Sequence, residues 1–197
     1  MKWIAISGPT ASGKSSLSQY LLENWSLGEI SLLCLDWYYH SLPENIDAKN
    51  YNFDHPNAID FDKFLSDIQS LENQNCTKAP MYSFEKHQRL EISQEVKPAS
   101  YILVEGLHVL NPKFVPKKWD VSLYLDLEKP LQLQRKIQRD VSHRGRTQEE
   151  SKLQFEAFCY PMQREFVEPQ KTNASLVCAP EYSHAQILDF LEKELKH

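Results

Sequence analysis

One eight-residue segment near the start limits what this chain can fold into more than any other feature. Gly8-Pro9-Thr10-Ala11-Ser12-Gly13-Lys14-Ser15 satisfies the spacing G-x-x-x-x-G-K-[ST], directly after the apolar run Trp3 to Ile6 and directly before a helical pattern that opens at Lys14. Strand, glycine loop and helix in that order make a phosphate cradle. The glycines let backbone N–H groups curl around a polyphosphate, and the helix N-terminus adds partial positive charge. Gly8, Thr10, Ala11, Ser12, Gly13, Lys14, Ser15 and Ser16 are therefore the expected nucleotide-binding residues. In this motif Lys14 reaches the β- and γ-phosphates and Ser15 is a ligand for Mg²⁺.

Such a loop needs a sheet behind it, and the chain supplies the strands. Strand-length apolar runs recur at Trp3 to Ile6, Ser31 to Leu35, Tyr101 to Val104, Val121 to Leu125 and Ser175 to Cys178. Helical patterns fall between or after them: Lys14 to Trp25, Leu131 to Val141 with Leu133, Ile137 and Val141 spaced by four, and Ala185 to Leu195. Apolar strands alternating with helices predict an α/β chain of the P-loop NTPase type, a doubly wound parallel five-stranded sheet with helices on both faces. No repeat or linker interrupts it, so one domain over 1–197 is expected. Two stretches break the rhythm. About 37–62 is polar and aromatic, and about 80–96 reads as a small β excursion with Tyr82 and Phe84 alternating. In such sheets insertions sit over the carboxyl ends of the strands, where ligands bind.

Composition narrows the partners. With 22 Lys+Arg against 27 Asp+Glu the formal net charge is −5, which disfavours a nucleic-acid partner recruited by bulk positive charge; any basic site must be concentrated. Four cysteines, at 34, 76, 159 and 178, show neither C-x-x-C pairing nor zinc spacing, the usage of a reduced intracellular protein. The opening apolar run is too short for a signal-peptide core or a membrane span, so a cytoplasmic protein without membrane contact is expected.

Two acids close predicted strands. Asp36 stands where a carboxylate meets Mg²⁺ or an acceptor hydroxyl, or else simply caps a turn; position alone leaves both open. Glu105 ends the run Tyr101-Ile102-Leu103-Val104 in the manner of a Walker B acid, and a carboxylate at the tip of an apolar strand needs a partner such as a metal shell or a lysine. The concentrated basic site exists. Arg135, Lys136, Arg139, His143, Arg144 and Arg146 share one window containing only Asp140 as an acid. Arg135 and Arg139 are placed on the helix side away from Leu133, Ile137 and Val141. The window, with a following helix, reads as a helical lid over about 139–154 whose guanidinium forks stabilise transferring phosphate, although a solvated basic face would look the same. The N-K-x-D element of guanine-selecting switches is absent, so phosphoryl transfer to a small molecule leads.

Together these segments resemble the uridine kinase (uridine–cytidine kinase) family of P-loop kinases. The resemblance runs from Ile4 to Pro180 and rests on Gly8 to Ser16, Asp36-Trp37-Tyr38-Tyr39, Asn52-Phe53-Asp54-His55-Pro56-Asn57-Ala58, Pro80-Met81-Tyr82-Ser83-Phe84 with His87 and Arg89, Val104-Glu105-Gly106, and Arg139-Asp140-Val141 through Arg144-Gly145-Arg146. It implies transfer of the γ-phosphoryl of ATP or GTP to the 5′-hydroxyl of uridine, with cytidine as a second acceptor, in pyrimidine salvage. By resemblance Asp36 is the base, Lys14, Arg139, Arg144 and Arg146 clamp phosphate, and Ser15 and Glu105 hold Mg²⁺. Asp54 takes ribose hydroxyls, while Tyr39, Phe53, Tyr82, His87, Lys136 and Gln154 complete the acceptor site. A homo-oligomer and a small-molecule nucleoside partner are further implications.

The chain departs from the family pattern in places. Arg135-Lys136 stands where two arginines are usual, Trp37 where a small residue is common, and Asn173-Ala174-Ser175 with Glu181-Tyr182-Ser183-His184 replaces the usual segments near the donor base. Lysine does not reproduce a bidentate guanidinium contact. A related kinase for another riboside or hydroxyl, and a catalytically weak nucleotide-binding regulator, are the alternatives.

Overall fold

The computed structural model describes residues 1–196. In chain order the elements begin β1 (Lys2–Ser7), α1 (Lys14–Asn24), β2 (Ile30–Cys34), α2 (Phe61–Glu72), β3 (Thr77–Ser83), β4 (Gln88–Val96), β5 (Tyr101–Glu105) and β6 (Val121–Leu125). They continue with α3 (Lys129–His143), α4 (Gln148–Gln154), a single turn α5 (Tyr160–Met162) flanked by wide i→i+5 turns, β7 (Leu176–Cys178) and α6 (His184–Leu195). Five strands form one parallel sheet ordered β2-β5-β1-β6-β7, and β3 with β4 forms a separate antiparallel hairpin. The parallel sheet and the hairpin excursion are as the sequence predicts.

Each central strand feeds two cores, which is why its residues are apolar throughout. On β1, Trp3 and Ala5 face the core built with Phe64, Ile68 and Leu71 of α2. Ile4 and Ile6 face the opposite one, shared with Leu17 and Leu21 of α1 and with Ile187, Leu191 and Leu195 of α6. Ser183 starts α6 with a reciprocal capping box to Gln186.

Helix α3 corrects an expectation. Its buried residues are Gln132, Lys136 and Asp140, whereas Val141 is 48% exposed and Leu133 and Ile137 are half-buried. The spacing-of-four apolar stripe does not form the packed face. A charged face goes inward because Lys136 and Asp140, one turn apart, neutralise each other there.

Register sets the site. Ile6 and Cys34 both pair with Glu105, so three neighbouring strands end level and their exits, the glycine loop, Asp36 and Gly106, converge. Gly106 is required by close approach: a Cβ there would lie 2.4 Å from Leu35 Cβ, next to Asp36. Gly106→Ala should cost roughly 1–3 kcal/mol by overpacking, read by urea denaturation. Unaltered stability would mean that Leu35 has room to move.

Candidate active site

The glycine loop folds as the motif demands. Gly13 (φ 99°) precedes α1, Ala11 takes φ 60°, and Leu17 N–H donates to the Gly13 carbonyl at 2.9 Å. Lys14 Nζ donates to the Gly8 and Pro9 carbonyls at 2.9 Å each. Burial lowers the Lys14 pKa against the opposing pull of Glu105 and Asp36.

Glu105, 2% exposed, is the centre of the strand-end cluster. Its Oε1 accepts from Ser15 Oγ and from Cys34 Sγ, both at 3.1 Å, while Oε2 is buried without a hydrogen-bond partner. Burial, and then the charge of Asp36, raise its pKa. A divalent cation held by Ser15 Oγ and Glu105 fits this arrangement, since hard oxygen donors and an orphaned carboxylate oxygen are what Mg²⁺ requires.

A cavity of about 590 Å³ runs from the glycine loop past Asp36, Tyr39 and Asp54 to Tyr182 and His184 near the C-terminus. A smaller pocket shares Thr10, Asp36, Tyr39, Asp54 and Arg139 with it and adds Phe53, Phe84, His87, Lys136, Gln154 and Cys159. The Phe53 and His87 rings stack at 4.9 Å with a 26° interplanar angle. Burial, followed by the nearby Arg146 and Arg144 charges, lowers the His87 pKa, favouring the neutral ring at pH 7. Tyr82 does not line either cavity; it packs behind Tyr39 and Phe84, each 5.3 Å away. Phe84 takes the wall instead.

Arg89 staples the two insertions together. Its guanidinium donates to the Tyr38 and Tyr39 carbonyls at 2.9 Å each and pairs with Asp60 at 2.9 Å, while Leu42 N–H donates to the His87 carbonyl at 2.8 Å. Three residues after Asp36, the chain is thereby tied to the hairpin that carries His87.

Above the pocket one carboxylate gathers four cations. Asp140, fully buried, accepts from Lys136 Nζ, from Arg139 Nε and Nη2 at 3.1 Å each, and from Ser151 Oγ at 3.1 Å. Arg144 and Arg146 stand 3.6 and 3.7 Å away. Arg139 also reaches Thr10 Oγ1 at 3.4 Å, Arg144 lies 4.4 Å over the Phe84 ring, and Arg146 donates to Gln154 Oε1. Arg135 is exposed and lines only the larger cavity.

Burial opposes ionisation of Asp140, but Arg139 and then Lys136 hold its pKa down to about 2. A depressed carboxylate stabilises the fold above its unfolded value of about 3.9 and loses that contribution as pH falls toward 2. Asp140→Asn should therefore lower stability at pH 7 by roughly 3–5 kcal/mol, because Lys136 is left as an uncompensated buried charge. It should also flatten the acid limb between about pH 4 and 2. Equal wild-type and variant urea midpoints at pH 7 would contradict this.

The comparisons with known proteins agree with this geometry. The model of the Phosphoribulokinase / Uridine kinase family matches residues 3–184. A uridine kinase of Clostridium botulinum (strain Kyoto / Type A2) is 32% identical over 198 aligned residues, covering 98% of this chain and 95% of the relative. Among solved structures, a possible uridine kinase from Bacillus stearothermophilus superposes with a TM-score of 0.63 at 14% identity, covering 89% of this chain and 87% of the other. Phosphoribulokinase from Rhodobacter spheroides does so with a TM-score of 0.66 at 10% identity, covering 90% and 69%. At those identities the structures speak for the fold alone. With a glycine loop and acids at the ends of neighbouring parallel strands, and with matches over nearly its whole length, the chain belongs to the phosphoribulokinase/uridine kinase family.

Proposed function

We propose that this chain is a nucleoside kinase that transfers the γ-phosphoryl of ATP or GTP to the 5′-hydroxyl of uridine, and of cytidine, in pyrimidine salvage. The observation that carries the reading is the pair of joined cavities: Asp36, Tyr39 and Asp54 are walls of both the glycine-loop cleft and the aromatic pocket. A donor in the first and a nucleoside in the second would meet at Asp36. The full-length likeness to uridine kinases supports the same acceptor.

The chemistry follows from charge and position. Asp36 orients the 5′-hydroxyl and takes its proton as the hydroxyl oxygen bonds to the γ-phosphorus and the bond to the β–γ bridging oxygen breaks, releasing the nucleoside diphosphate. Lys14, Arg139, Arg144 and Arg146 stabilise the charge that spreads over the phosphoryl oxygens. Ser15 and Glu105 would hold Mg²⁺, which when bound would supply neutralisation of phosphate charge. Asp54 takes ribose hydroxyls, and the Phe53–His87 stack with Tyr39 bounds a slot suited to a single six-membered base. Lys136, committed to Asp140, backs the lid arginines. Such a slot rejects purines by shape.

Coupled assays with ATP and GTP against uridine, cytidine, adenosine and thymidine should give turnover confined to the first two acceptors. Asp36→Asn should cut kcat by roughly 10²–10⁴ while leaving donor binding within about twofold. Full activity in that variant would overturn the assignment of the base, and turnover on adenosine alone would overturn the acceptor.

A further inference from the structure

Asp54 is held from two sides by residues to which the reading so far gives no part. Cys159, 4% exposed on the wide turns after α4, donates its Sγ–H to Asp54 Oδ2 at 2.9 Å. Burial and then Asp54 raise the thiol pKa, so Cys159 stays protonated and remains a donor. Among the described residues nothing donates to Oδ1 of Asp54, the second oxygen of an acid that lines both cavities.

His108, fully buried, grips the backbone of the same residue. Its Nε2 lies 3.1 Å from the Asp54 carbonyl oxygen, and because a carbonyl only accepts, Nε2 must carry the hydrogen. That leaves the Nδ1 lone pair buried without a partner, in a box formed by the rings of Phe61, Phe114 and Phe166 at 6.3, 5.9 and 6.2 Å. An apolar side chain would fill this box without stranding a polar atom. Packing alone thus does not account for an imidazole here, whereas a donor aimed at the Asp54 carbonyl does.

We propose that Cys159 and His108 are positioning residues for the acceptor. His108 fixes where the Asp54 backbone sits, and Cys159 fixes its carboxylate rotamer by occupying Oδ2, so that Oδ1 is presented to an incoming sugar hydroxyl. The carboxylate is then ordered before the acceptor arrives, and the ordering cost is not met at binding. The inference rests on the reading of the smaller pocket as the nucleoside site.

The test compares Cys159→Val, which removes the donor and puts an apolar side chain one methyl larger in its place, with Cys159→Ser, which keeps a donor, and His108→Phe with His108→Gln on the same logic. Cys159→Val and His108→Phe should each raise the acceptor KM about five- to tenfold, with kcat and donor KM within about twofold and Cys159→Ser and His108→Gln restored most of the way. In infrared difference spectra of wild type minus Cys159→Val, the Cys159 S–H stretch should lie at the low frequency of a strongly bonded thiol. Wild-type acceptor KM in Cys159→Val and His108→Phe, or Ser and Gln variants as impaired as Val and Phe, would overturn the proposal. If either cysteine or histidine pair fails to fold, the other pair decides. Wild-type protein that phosphorylates no nucleoside would instead overturn the reading of the pocket, and this proposal with it.

Discussion

Three parallel strands that end level are the constraint on which the rest of this site depends. Because Ile6 and Cys34 share Glu105 as their register partner, the chain leaves β1, β2 and β5 at one height. The glycine loop, Asp36 and Gly106 are forced into one cleft. A slip of the β5 register would carry Glu105 to the other face of the sheet and separate it from Ser15. The alternation of Ile102 and Val104 against Leu103 between two cores is what forbids that slip.

Charge burial then shapes what stands above the strands. Glu105 keeps one oxygen unpartnered, Lys14 turns to loop carbonyls, and Asp140 collects Lys136, Arg139, Arg144 and Arg146. Among the described residues Lys136 and Asp140 form a buried ion pair, and Glu105 and Lys14 have no such ion-pair contact. Arg139, Arg144 and Arg146 sit around one carboxylate, and Arg139 reaches the glycine loop at Thr10, so a polyphosphate would compete with Asp140 for guanidinium groups already gathered. Pre-assembly of that kind lowers the reorganisation needed when charge develops in transfer.

Much of this was legible in the sequence wherever function and local structure share the same few residues. The glycine loop advertises itself because strand, loop and helix are contiguous, and Asp36 and Glu105 because they end apolar runs. Legibility failed where meaning comes from distant partners. The spacing of Leu133, Ile137 and Val141 promised an apolar buried face, yet α3 turns Lys136 and Asp140 inward because Ser151 of α4 and Arg144 and Arg146 of the α3–α4 connection meet Asp140. Cys159 and His108 act across separations of 105 and 54 residues, with no local pattern to mark them. The sequence suggests that Tyr82 and Phe84 alternate along one strand, but β3 ends at Ser83; Phe84 lies in the turn beyond it, under Arg144, and forms the wall while Tyr82 packs against Tyr39.

The central claim is that the two joined cavities bring a nucleotide's terminal phosphate to a nucleoside hydroxyl. The most direct measurement is ³¹P NMR of the wild-type protein with Mg²⁺, ATP and uridine. The account predicts that uridine 5′-monophosphate and ADP grow in one for one, with no signal from a 2′- or 3′-phosphate. ADP and inorganic phosphate formed at the same rate with or without uridine would contradict it.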